Sequence, residues 1–140
     1  MGFSRILAAV GLLAAGALLG SVARSAPADT KEVPQLYELR TYTTLDGRLP
    51  ALHKRFKDHT LKLFEKHGMK NVVYFTPEEK PNTLIYLLAH KDKAARDASF
   101  EAFRNDPEWI AARDESEKDG KIVEKVESVF LNPTVYSPMK

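Results

Sequence analysis

Tyr37-Glu38-Leu39-Arg40-Thr41-Tyr42 decides how the rest of the chain is read. β-branched and aromatic residues dominate it and its side chains alternate with period two, so it reads as a β-strand from about Leu36 to Thr43. One face carries Tyr37, Leu39 and Thr41; the other carries Leu36, Glu38, Arg40 and Tyr42. An acid and a base that share a face with two apolar side chains describe a surface that is neither plain core nor plain solvent. After this strand Leu45-Asp46-Gly47 turns the chain, with Gly47 supplying the backbone freedom.

Downstream, Arg48 to His67 reads as an amphipathic helix. Leu49, Leu52, Phe56, Leu63 and Phe64 fall on one side at about 100° per residue, with Lys54, Arg55, Asp58, Lys62 and Glu65 opposite. Thr60 and His67 lie within the apolar stripe, His53 and His59 flank it, and Gly68 closes the helix. Lys70 to Thr76 is a second strand and Pro77 to Pro81 a polar loop. Thr83 to His90 is a third strand, apolar on both faces, which marks it as central and buried on both sides. Lys93 to Asn105 is a second helix with Ala98, Phe100, Ala102 and Phe103. Asp106-Pro107 restarts it, Asp as N-cap and Pro as first helical residue, and Trp109, Ala112, Arg113 and Ser116 share one face of the continuation to about Lys118. Ile122 to Leu131 is a fourth strand, stopped by Asn132-Pro133, and an extended tail follows from Thr134 to Lys140.

The order β-α-β-β-α-β is the ferredoxin-like α+β plan. Right-handed crossovers give an antiparallel four-stranded sheet ordered 4-1-3-2 with both helices on one face. One helix layer cannot cover both faces of the third strand. The simplest cover is a second copy packed sheet to sheet, so the expected assembly is a homodimer closing a dimeric α+β barrel.

The amino-terminal residues carry a different message. Met1 to Arg5 ends in a positive charge, Ile6 to Leu19 is an apolar run, and Ser21-Val22-Ala23 and Ala26-Pro27-Ala28 fit small-x-small cleavage patterns. This is the layout of a secretory signal peptide over residues 1–26, followed by a polar linker over residues 27–35. The apolar run is shorter than the roughly 20 residues a membrane-spanning helix needs, so cleavage is expected, with export to the periplasm or medium and no membrane attachment afterwards. An uncleaved anchor is the alternative. The chain has 21 basic and 19 acidic residues; without Arg5 and Arg24 the counts are equal. No basic stripe with interleaved aromatics appears, which argues against nucleic acid as a partner. The absence of cysteine excludes disulfides and thiolate chemistry.

Tyr37 to Tyr42, the helix ending Lys66-His67-Gly68, and Asn105-Asp106-Pro107-Glu108-Trp109 together resemble the NIPSNAP domain, a member of the dimeric α+β barrel superfamily. The resemblance covers about Leu36 to Pro133; Asp46-Gly47 stands where many relatives have Pro-Gly. It implies this fold and dimerisation, and implies no reaction. Superfamily cousins include small monooxygenases and haem-handling proteins, but no catalytic residue carries over.

Candidate site residues follow from residue chemistry. The four histidines lack the i, i+3 or i, i+4 spacing that lets two imidazoles share an ion, so no metal site is expected. They read as structural or solvated, with His59 the haem ligand if haem is bound at all; no cofactor is otherwise expected. Glu38 and Arg40 are expected on the dimer face, in an ion-pair network with Glu124, Lys125 and Glu127 of the neighbouring strand. Tyr42, His59, Tyr74, Trp109 and Arg113 are the candidates for a ligand pocket between sheet and helices, with Trp109 alternatively a core anchor. The function expected is binding of a small molecule or protein partner by an exported homodimer. The alternative is a small cofactor-independent or haem-dependent oxygenase using that pocket.

Overall fold

The computed structural model describes residues 35–139. The signal segment and the linker up to Pro34 lie outside the described residues. The chain runs β1 (Leu36–Thr44), α1 (Leu49–Arg55), a single π-helical turn (Phe56–Thr60), α2 (Leu61–Lys66), β2 (Lys70–Phe75), β3 (Thr83–His90), α3 (Lys93–Arg104), α4 (Pro107–Ser116) and β4 (Val123–Leu131). The four strands pair antiparallel in the order β2-β3-β1-β4, the expected plan.

The helix expected over residues 48–67 forms as one right-handed rod whose middle turn is widened. The Leu61 N–H reaches back five residues to the Phe56 carbonyl, and the Thr60 hydroxyl donates to the Arg55 carbonyl at 3.3 Å. The rod ends in a Schellman motif: Gly68 takes φ +77°, its N–H bonds the Glu65 carbonyl, and the Met69 N–H bonds the Phe64 carbonyl. Asp92 caps α3, accepting from the Ala95 N–H at 2.8 Å. Asp106 caps α4, accepting from the Glu108 N–H at 2.8 Å ahead of Pro107.

The helices pack on the sheet face that carries Leu84, Tyr86 and Leu88 of β3. Tyr86 is fully buried there, stacked on Tyr74 at 5.2 Å and edge-on to Phe56 at 5.3 Å and Tyr42 at 5.4 Å. Each such ring pair adds about 0.5–1.5 kcal/mol beyond burial. Arg55 departs from the expected solvent side. It lies on the flank of the stripe where α4 packs, and is buried over the Trp109 ring (5.3 Å), paired with Glu117 at 3.1 Å.

The other sheet face carries no helix. Leu39, Val73, Ile85 and Leu87 are half-buried on it, while Phe75 and Val129 are 56% and 54% exposed. The tail, read as extended, instead turns at Thr134–Ser137. It borders a cleft over one end of this face with Tyr37, Leu87 and Leu131. Among the described residues, no helix is long and apolar enough to cross a membrane.

Candidate functional site

A cleft of about 510 Å³ opens between the α1–π-turn rod and β2 with the end of β3. Phe56, Leu61, Tyr74 and Leu84 give it apolar walls; His53, Lys57, Phe75 and Thr76 complete the lining. Its volume lies within the 300–1,000 Å³ typical of small-molecule sites. The wall is braced from behind: the Tyr74 hydroxyl donates to Asn71 Oδ1 at 2.5 Å, and Asn71 Nδ2 donates to the Leu61 carbonyl at 3.0 Å. A β-bulge between Asn71 and Val73 accompanies this arrangement. Burial, with the neighbouring Tyr42 and Glu65, pushes the Tyr74 phenol above its ordinary range, so it remains a neutral donor. The π turn itself contributes Phe56 and Lys57, and such turns recur at functional sites.

A second constellation lies under α3. Glu38 is fully buried and accepts at Oε1 from Arg40 Nη1 (2.6 Å), Arg96 Nη2 (2.6 Å) and Ser128 Oγ (2.5 Å). Its Oε2 accepts from Arg96 Nε (2.9 Å) and His90 Nε2 (3.1 Å). Burial pushes the carboxyl up, but the hydrogen bonds from His90, Arg96 and Ser128 and the Arg40 charge outweigh it and hold Glu38 well below the usual carboxylate range. Arg40 Nε donates to the Tyr86 hydroxyl at 2.9 Å, and its guanidinium lies 4.7 Å from the Phe100 ring centroid. Arg96 sits between the Phe100 and Phe130 rings, at 4.3 and 5.3 Å. With every carboxylate lone pair engaged, this group ties α3 to β1, β3 and β4.

Glu38 and Arg40 are therefore corrected from the open sheet face to the helix-covered one. On β4, Arg40 lies opposite Ser128, which donates to Glu38, while Lys125 pairs with Glu127 at 2.8 Å on the opposite face. The five pocket candidates are not brought together. Tyr74 lines the large cleft, and Tyr42 packs on Phe56 and Tyr86 beside it. Trp109 is a core anchor, 4.5 Å from Phe103, and Arg113 is a surface residue paired with Asp114 at 2.8 Å. His59 lines a separate cleft of about 290 Å³ between α1 and α4, among Lys54, Asp58, Glu115, Lys118 and Asp119. That charged lining does not suit a large apolar macrocycle. His67 pairs with Asp106 at 2.7 Å, a structural contact that Lys66 shares. Among the described residues, no group of three or more His, Asp or Glu is placed to hold a metal ion. The cleft residues His53 and Lys57 and the anchor Arg96 were not foreseen as site residues. Arg96 had a signal, one helical turn before the core residue Phe100.

Sheet order, one-sided helices and the cleft at their edge define a ferredoxin-like α+β domain. The NIPSNAP family model matches residues 37–138, and the chain belongs to the NIPSNAP family. It is similar to a NIPSNAP family protein with unknown function from Agrobacterium tumefaciens, at 25% identity and TM-score 0.67, covering 78% of this chain and 96% of that one. A NIPSNAP domain protein from Burkholderia xenovorans gives 28% identity and TM-score 0.63, covering 74% and 98%. A candidate antibiotic biosynthesis monooxygenase from Bacteroides thetaiotaomicron shares the fold alone, at 17% identity and TM-score 0.53 over 76% and 97%. No curated protein matches the chain.

Proposed function

We propose that this chain is an exported NIPSNAP-type domain that works as a homodimer and binds a small molecule in the cleft beside its π turn. The observation that carries the reading is the two-sided third strand. Leu84, Tyr86 and Leu88 are buried under the helices, while Ile85 and Leu87 face the side that no helix covers. Phe75, Val129 and Leu131 extend that apolar surface across the sheet, and a second copy presenting the same surface would bury it about a twofold axis. The cleft opens at the sheet edge, away from the buried charges around Glu38, so ligand binding does not require the core to open. Export rests on the three-part layout of residues 1–26. The oxygenase alternative has only the likeness of fold behind it.

Native mass spectrometry on protein exported by its own leader tests the reading. The expected species is a dimer of chains cut between Ala23 and Ala28, carrying a retained small ligand or taking one up on titration. A monomer at micromolar concentration overturns the dimer, and an intact leader overturns cleavage.

A further inference from the structure

We propose that the cleft is selective for an apolar carboxylate, an aromatic or medium-chain acid whose body lies against Phe56, Leu61, Tyr74 and Leu84 and whose charge meets Lys57 and His53. The proposal rests on the small-molecule reading above and adds the chemistry of the ligand. The inner lining is apolar and ring-rich, which suits a flat or extended hydrocarbon body. The basic side chains of the lining, the Lys57 ammonium and the His53 imidazole, are four residues apart on the rod, and no acidic side chain lines the cleft.

The basic groups are also uncommitted. Lys54, on the same rod, is already paired with Asp58 at 2.5 Å, whereas neither Lys57 nor His53 makes an ion pair or side-chain hydrogen bond among the described residues. A cation at the rim of an apolar cleft selects a ligand with its anion at one end and its hydrocarbon inward. The widened turn places this cation there: Lys57 and Phe56 are adjacent residues of the π turn, one at the mouth and one in the wall. Thr76, exposed, also lines the mouth.

Calorimetric titration of the mature protein with 2-naphthoate and with its neutral analogue 2-naphthalenemethanol tests this. The naphthoate should bind saturably and at least tenfold more tightly than the alcohol, with the preference shrinking as salt is raised. Lys57→Met should remove most of that preference while leaving the alcohol unchanged. Thr76→Trp, at an exposed position in the mouth, should weaken both probes at least tenfold. Equal affinity for the two probes, an unaltered preference in Lys57→Met, or binding of neither probe overturns the proposal. A monomer that still prefers the naphthoate would overturn the dimer alone; a dimer that binds neither probe would overturn this proposal and leave the dimer standing.

Discussion

The two faces of the sheet invert the usual arrangement of charge and hydrocarbon. Under the helices, where hydrocarbon is the default, β1 buries Glu38 completely and draws in Arg40 and Arg96. On the opposite face, open to water in a single chain, Phe75 and Val129 are more than half exposed. The buried carboxylate is tolerated because both of its oxygens accept hydrogen bonds from Arg40, Arg96, His90 and Ser128, not because charge is cheap to bury. The exposed hydrocarbon has no such local answer. A polar group buried inside one chain must be satisfied by that chain, whereas an apolar face can be completed by a second copy. The faces should therefore respond in opposite ways to mutation, one in folding and the other in assembly.

The largest effect on folding is expected from Glu38→Gln, which keeps the shape but leaves the buried Arg40 and the half-buried Arg96 without their anion. Removing one partner of a buried pair costs about 3–5 kcal/mol, to be read from urea denaturation at pH 7. The same variant checks the pH dependence. The Glu38 carboxyl titrates below its usual value of 4.5 when folded, so its contribution is fully present above that value and is lost as pH falls through the folded range. Wild type should lose stability on acidification below about pH 4.5, and Glu38→Gln should lose distinctly less. Parallel acid profiles would show that folding does not lower the Glu38 pKa and would overturn the assignment of the network as its stabiliser.

Arg40→Met should rank second. It removes one cation from Glu38 and the donor to the Tyr86 hydroxyl, at a cost of about 2–3 kcal/mol. With the side chain under the helices, the dimer dissociation constant should change less than twofold. A large loss of dimer affinity with unchanged folding would return Arg40 to the interface. Smaller still is Asp92→Ala, which removes the cap of the helix that carries Arg96 and should cost about 1 kcal/mol in the same denaturation assay.

The fold was legible because its signals are local and mutually consistent. The period-two strands, the Gly68 helix stop and the Asp106-Pro107 restart fix six elements, and chirality rules leave little choice in joining them. The two-sided apolarity of β3 also correctly singled out a central strand. Alternation along β1 separated Glu38 and Arg40 from Leu39 and Thr41, but alternation alone does not say which face the helices cover. Charge suggests the open face, and the partners that reverse this, Arg96 and Ser128, lie 58 and 90 residues from Glu38. The burial of Arg55 is hidden for a related reason: wheel geometry sees one helix, and the flank buried by α4 is a tertiary fact. Of the cleft only Tyr74 was legible, because its shape depends on an extra residue in one helical turn and a bulge in β2, neither of which has a period to betray it.

Val129→Asp asks the converse question and should barely disturb the single chain. The side chain is on the edge strand, on the helix-free face, and already more than half exposed, so the folded monomer loses within about 0.5 kcal/mol. In a sheet-to-sheet dimer the same change places two carboxylates in an apolar interface, and the dissociation constant should rise at least tenfold by sedimentation velocity. The comparison has to be made across a dilution series, because dimerisation itself adds to apparent stability. If Val129→Asp leaves the dimer intact while Arg40→Met dissolves it, the assignment of the two faces is reversed. If Val129→Asp unfolds the chain at concentrations where wild type is monomeric, that face supports the fold of one copy and is not a surface held ready for another.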